Sequence, residues 1–327
     1  MLSFIQSSKQ LQLFRPSIDV AALEEAVMRF AKNKRAENTT KAYDYAWRAF
    51  CTWCEGARRQ SLPAEPDTVA LWVASLLVSG LRPSTVRLHI CGVNSVHKAN
   101  GYPAPFDRRV GAIITGAQRT QEYVPLAKVA MTPEQLREVS SRLGDDAQAV
   151  RDRAVLVVGF ATGLRRSELV ALRAEDVSFV PEGLRIYIRR SKTDQKGEGR
   201  MLGVFAGKYP ETCPIETLRA WFAIRGESPG PLFWRIHRNR SGARPIQHGI
   251  HPVTVNRIVK IAASMLGLEK QAFGAHSLRV GCVTAGINAG ASIVAIMSRT
   301  GHKSINSVQR YYRPASVFSV DPLAGVL

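Results

Sequence analysis

Residues 274–315 read GAHSLRVGCVTAGINAGASIVAIMSRTGHKSINSVQRYYRPA. This stretch sets the character of the whole second half of the chain. Helices are expected near 276–289, 292–299 and 304–312. His276 and Arg279 lie three positions apart and so share one face of the first helix. His302 follows Gly301 in the turn TGHKS, and Tyr311 and Tyr312 come about two helical turns later. Each could be an ordinary surface or core residue. Whether they act as a set depends on what the rest of the chain supplies.

Working outward, MTPEQLREV opens a helix near 132–143 with Thr132 as cap, Pro133 in the first turn and Gln135 close behind. A second helix is expected near 147–161. Three strands follow in EDVSFV, LRIYIRR and RMLGVF, and Leu184, Ile186 and Ile188 alternate onto one face. Helices resume near 211–225 and 252–266, with 234–249 between them read as a basic loop. The region before residue 120 shows no strand-like alternation. It reads as helices joined by short turns, with Pro66 to Gly80 and Pro83 to Gly101 each starting at proline and ending at glycine. The expectation is a mainly α protein with one small antiparallel β-sheet. Its parts are an extension over 1–18, a helical domain over 19–120, a linker over 121–130, an α+β domain over 131–313 and an apolar tail over 314–327.

Composition narrows the function. The 327 residues carry 45 Lys and Arg against 26 Asp and Glu, a net charge of +19. The excess is shared: residues 1–128 hold 17 basic and 10 acidic side chains, and residues 129–327 hold 28 and 16. Two basic folded parts suit a large polyanion gripped from both, with nucleic acid the leading partner. Apolar runs at 69–81 and 154–164 fall short of the roughly 18 residues a membrane span needs. The start, MLSFIQSSKQLQLF, makes a poor secretory signal. A soluble, cytoplasmic protein with no membrane partner is expected. Five scattered cysteines offer no disulfide framework, and Cys51 and Cys54 sit within a helical pattern without a second Cys/His pair, so burial is expected rather than a metal site.

Further polar residues extend the opening set. In ATGLRRSELVALRAEDV (161–177), Arg165 stands where one helix ends at Gly163 and another begins, with Glu168 one turn on. An arginine there can reach an anion, or form a surface pair with Glu168. Lys192 lies in the polar loop RRSKTDQKGEGR (189–200), where it could enter a groove or simply be solvated. Two histidines, two arginines, a lysine and a tyrosine suffice, without metal, for chemistry at a phosphodiester. Arginines stabilise charge on the non-bridging oxygens, histidine moves a proton near neutral pH, lysine protonates a departing oxygen and tyrosine attacks.

In order and wording, TGLRRSEL, SKT, HSLR, TGHKS and a tyrosine nine residues past His302 resemble the tyrosine site-specific recombinases, with the layout closest to their Cre-type and Xer-type members. The segment NTTKAYDYAWRAFCTWC is also similar to their helical core-binding domain, so the resemblance covers nearly the whole chain. It implies a SAM-like DNA-binding domain and a catalytic domain that close as a C-shaped clamp on double-stranded DNA carrying an inverted repeat. It also implies strand exchange through a 3′-phosphotyrosyl link and a Holliday junction, with no cofactor. Carried over, it gives Arg165 and Arg279 to the scissile phosphate, Lys192 to the leaving oxygen and His276 to the nucleophile's proton. His302 goes to the phosphate, Glu168 to a supporting place, and Tyr311, by its spacing from His302, to the attack. Neighbours on a helix point about 100° apart, so Tyr312 cannot share that place.

DNA contacts are further expected from Lys41, from Arg87 and Lys98 on a candidate major-groove helix, and from Arg238, Arg240 and Arg244 beside Arg235 in the 234–249 loop, mostly to phosphates. Residues 314–327 are expected to dock on a neighbouring protomer and close a homo-tetramer on two DNA sites. No arm-binding domain is expected ahead of the first helix. A bacterial or phage origin and a place on the nucleoid follow from the same resemblance, with any accessory protein unknown. A non-enzymatic DNA-binding regulator and a type IB topoisomerase are the competing readings. The first has no need of a nucleophile, and the second pairs no sites.

Overall fold

The computed structural model describes residues 19–32, 37–120, 128–189, 198–239, 242–309 and 311, with side chains described except at 28–32, 37, 38, 238, 239 and 242. Contacts divide the chain into two compact units, one to Pro125 and one from Leu126.

The described residues of the first unit form five helices: α1 (Val20–Lys32), α2 (Glu37–Gly56), α3 (Pro66–Val78), α4 (Pro83–Ala99) and α5 (Arg108–Thr120). Phe50, Trp72, Val73, Val86, Val93 and Ile114 are buried together at their centre. Helices α2 and α4 close up at Gly92, where a Cβ would come 2.9 Å from the Ala46 Cβ. His97 is a structural residue. Its Nε2 accepts from the Ala64 N–H at 2.9 Å, which leaves Nδ1 to donate to the Val93 carbonyl at 2.9 Å. Cys54 is buried, and desolvation first, then Cys51, push its thiol up to about 11, so it is a core residue with little thiolate character.

The second unit is built around α7 (Ala147–Thr162), whose Val155, Leu156, Val157 and Val158 are all buried. A helix buried on every side belongs in the middle of a domain. Before it runs α6 (Pro133–Arg142), where Thr132 accepts from the Gln135 N–H at 3.2 Å and Gln135 Oε1 accepts from the Thr132 N–H at 3.0 Å. After it come the short α8 (Arg166–Ala171) and the antiparallel strands β1 (Val177–Val180), β2 (Gly183–Ile188) and β3 (Arg200–Val204), in spatial order β1-β2-β3. Leu184, Ile186 and Ile188 face the core as alternation requires, and Ile188 pairs with Arg200. Helices α9 (Pro214–Arg225), α10 (Pro252–Met265), α11 (Ala275–Asn288), α12 (Ile293–Thr300) and α13 (Ile305–Gln309) complete the unit.

One sequence expectation is corrected. Residues 234–249 form a second antiparallel pair, β4 (Trp234–Asn239) with β5 (Gly242–Gly249), and not a loop. The described residues therefore contain two small sheets. In this ribbon only Trp234 is buried among the described side chains, so no period-two apolar pattern betrays it.

Helix α11 crosses close to the start of the unit at Gly281, where a Cβ would lie 2.1 Å from the Met131 carbonyl oxygen and 2.7 Å from Phe160 Cε2. Neither neighbour is a free end. Gly281→Ala is expected to lower unfolding free energy by about 3 kcal/mol in urea titration. Gly116→Ala meets nothing within 4 Å and should stabilise by about 0.5–1 kcal/mol. Equal effects from the two substitutions would contradict this packing.

Candidate active site

Two helices end where the site begins. The left-handed Gly163 (φ +59°) terminates α7, and the left-handed Gly301 (φ +69°) terminates α12. Helix C-termini leave carbonyls unpaired and carry partial negative charge. Arginines fill that need here. Arg279, in the early part of α11 and only 2% exposed, donates through Nη1 to the Gly163 carbonyl at 2.7 Å and the Thr300 carbonyl at 2.6 Å. Arg299 donates to the Ala161 carbonyl at 2.8 Å. Arg200 donates to the Ser298 and Arg299 carbonyls, both at 2.8 Å.

Arg165 sits at the start of α8. Its backbone N–H donates to Glu168 Oε2 at 3.0 Å and its Nη1 to Glu168 Oε1 at 2.7 Å. Glu168 is buried, while the Arg165 side chain stays 25% exposed. The pair is thus a buried carboxylate holding a guanidinium at the edge of the site. Burial first, and then the Arg165 charge, draw the Arg279 pKa down to about 10, with Glu168 opposing. Arg279 therefore remains a cation at neutral pH. Three guanidiniums, on Arg165, Arg200 and Arg279, feel a single carboxylate, so the pocket is prepared for an anion.

The histidines complete it. Thr300 Oγ1 donates to the Ile296 carbonyl at 2.6 Å, so toward His302 Nδ1, 2.6 Å away, it serves as acceptor. That assigns the His302 proton to Nδ1 and leaves Nε2 to accept from Arg279 Nη2 at 2.9 Å. Burial first, then Arg279, Arg165 and His276, push the His302 pKa down to about 4. His276 has its outer edge open to solvent, with Nε2 3.0 Å from the Tyr311 hydroxyl. Its pKa is lowered by desolvation, then by Arg279 and Arg165. Tyr311 is half-buried, its N–H bonded to the Val308 carbonyl at 2.9 Å and its ring packed against Val283, Ile296 and Val308.

Arg165, Glu168, His276, Arg279, His302 and Tyr311 are therefore brought into one place. Lys192, Arg240 and residues 312–327 lie outside the described residues, as does the Arg238 side chain. In the first unit Lys41, Arg87 and Lys98 are exposed on α2 and α4, with Arg87 Nη2 donating to Gln118 at 3.3 Å. Arg244 is exposed on β5, paired with His237. Sequence reasoning missed Arg200 and Thr300. Arg200 opens an ordinary-looking strand, and nothing in the local pattern marks its reach to residues 298–301. A cleft of about 190 Å³ beside His276 is lined by Lys128, Arg165, Arg166 and Asn256. No group of three or more metal-ligating side chains occurs among the described residues, and no described helix is long and apolar enough to cross a membrane.

The profile of the phage integrase family matches residues 129–316. An integrase/recombinase xerD homolog of Selenomonas ruminantium is 31% identical over 305 residues, which cover 91% of this chain and 88% of that one. Recombinase cre of Escherichia phage P1 is 28% identical over 326 residues, covering 91% and 92%. Among solved structures, a lambda integrase dimer bound to a COC′ core site shares the fold with a TM-score of 0.62 at 16% identity, over 92% of this chain and 98% of that one.

The electrostatics fix how the free protein titrates. His302 stays neutral through the physiological range and gains its proton only near pH 4. In the unfolded chain the same ring binds a proton near pH 6.5. Between those values the unfolded state holds the extra proton, so stability falls as pH drops from about 6.5 toward 4 and is fully present above that window. Ring-carbon chemical shifts from a pH titration should show His302 neutral at pH 6, and a midpoint near 6.5 would contradict the geometry.

Proposed function

The chain belongs to the phage integrase family and is a tyrosine recombinase; on that footing we propose that it cuts and rejoins DNA at a defined site through a covalent bond from Tyr311 to a 3′ phosphate. The contact that carries this reading is the 3.0 Å approach of the Tyr311 hydroxyl to His276 Nε2 at the rim of an arginine pocket. A neutral imidazole with a lowered pKa holds a free lone pair at neutral pH.

Arg165 and Arg279 take the non-bridging oxygens of the scissile phosphate. Arg279 is held in advance by the Gly163 and Thr300 carbonyls, and Arg165 by Glu168, so little reorganisation accompanies the developing charge. The negative charge of the incoming phosphate favours a proton on His302 Nε2, and that N–H, in place of the Arg279 contact, donates to a non-bridging oxygen. The Tyr311 oxygen gives its proton to His276 Nε2 and bonds to phosphorus, and the bond from phosphorus to the 5′ oxygen breaks. The departing oxygen takes a proton from Lys192, a role that rests on the SKT motif alone. One phosphoester replaces another, so bond energy is kept and attack by a 5′ hydroxyl on the phosphotyrosine rejoins a strand.

The first unit serves as the core-DNA-binding domain and the second as the catalytic domain, joined near residues 121–130. Lys41, Arg87, Lys98, Arg235 and Arg244 contact mainly phosphates, which set register more than sequence. The site is an inverted repeat, bound by four copies that assemble through residues 314–327. The bacterial and phage relatives support action on the DNA of a bacterial cell.

Covalent capture tests this. Protein mixed with fragments of its source genome is denatured, and protein-linked DNA is isolated and sequenced. Wild type and Tyr312→Phe should trap one inverted repeat, while Tyr311→Phe binds it with similar affinity and traps none, a loss of at least about a thousandfold. Trapping by Tyr311→Phe, or tight binding by wild type without any covalent product, would overturn the assignment.

A further inference from the structure

We propose that Arg200 is a positioning residue for strand cleavage: by pinning the carbonyl end of α12 it fixes the Gly301–His302 turn, so that His302 stands ready beside Arg279. This rests on the reading of His302 as a phosphate contact.

Arg200 is the first residue of β3, and its backbone is paired with Ile188 on β2. A strand within a three-stranded sheet is a firm base for a clamp. From there its Nη1 crosses to the last turn of α12 and donates to the Ser298 and Arg299 carbonyls, 98 and 99 positions away in sequence. Arg279 takes the next carbonyl, that of Thr300. Two arginines thus hold three consecutive carbonyls at the helix end directly before His302. The chain then turns at Gly301, where an added Cβ would lie 3.3 Å from Arg200 Nε and 3.5 Å from Cζ. The guanidinium therefore lies against the turn itself.

The remaining nitrogen gives a second argument. Arg200 Nη2 is buried and has no hydrogen-bond partner among the described residues. A buried donor left unpaired is costly, and an apolar side chain would fill the same space without that cost. What only a guanidinium supplies here is the pair of bonds from Nη1 to the α12 carbonyls. Glu168 helps to sustain its charge against burial and against Arg165. The sheet and the His302 turn are thereby linked through one side chain, which acts on the site through that turn.

A double-mutant cycle separates this role from general support of the fold. The rate of covalent-complex formation is measured at saturating DNA for wild type, Arg200→Ala, His302→Ala and the double variant, with folding checked by thermal unfolding. Arg200→Ala is expected to slow the rate on the order of tenfold to a hundredfold with DNA affinity nearly unchanged. In the His302→Ala background the same substitution should cost no more than about twofold, because the residue it positions is gone. Arg200→Lys, which keeps a donor against the carbonyls, should recover part of the rate. It also carries the cycle if the alanine variant does not fold. Effects that multiply independently, or an Arg200→Ala variant at the wild-type rate, would overturn the proposal. If His302→Ala alone cleaves normally, the phosphate role of His302 fails, and with it any action of Arg200 through that residue.

Discussion

A guanidinium almost wholly removed from water, with no carboxylate in hydrogen-bonding contact among the described residues, is the constraint around which the second unit is organised. Arg279 is held instead by the Gly163 and Thr300 carbonyls, the exposed ends of two helices that meet only in the folded chain. Desolvating such a cation is expensive. Both helices must end at the right point, in left-handed glycines, before their carbonyls can offset that cost. The positions of α7, α11 and α12 are thus conditions for the site as much as for the core. At Gly163 an added Cβ would lie 2.8 Å from Thr300 Cγ2, so the two helix ends cannot move apart or be padded without losing the shared cation.

From that arrangement the charge balance follows. One buried carboxylate, Glu168, is spent on Arg165, and carbonyl dipoles account for Arg200 and Arg279. Dipoles orient a cation without neutralising it, so the pocket keeps positive charge for an incoming phosphate. Burial first, and then the charges of Arg279 and Arg165, lower the pKa of both histidines, leaving His302 as a neutral partner of Arg279 and His276 with Nε2 facing the Tyr311 hydroxyl. In the proposed mechanism the nucleophile, its base and the phosphate-binding groups come from four separate elements, α8, α11, the turn after α12 and the segment after α13. Positive charge in the first unit, on Arg87 and Lys98 of α4 among others, fits a long polyanion extending beyond one pocket.

Much of this was legible in the sequence because its signals are local. Thr132, Pro133 and Gln135 announce α6 through contacts three residues apart, and Leu184, Ile186 and Ile188 announce β2 by alternation. Arg165 and Glu168 are one turn apart, as are His276 and Arg279, so each pair could be read from spacing. What escaped was either weakly patterned or distant. The β4–β5 ribbon exposes charged residues along its length and includes Pro245, so alternation never shows. The partners of Arg279 lie 116 and 21 positions away, and those of Arg200 nearly a hundred, distances that no periodicity can span.

In the proposed mechanism Arg279 acts as a pre-anchored fork and not merely as a source of charge. Arg279→Lys tests it most directly, because lysine keeps the cation but cannot bond two carbonyls and face His302 from a planar frame. DNA affinity and the rate of covalent-complex formation should be measured on the same site. Affinity should stay within about threefold of wild type while cleavage slows at least about a hundredfold. Cleavage near the wild-type rate, or a loss explained entirely by weaker DNA binding, would contradict it.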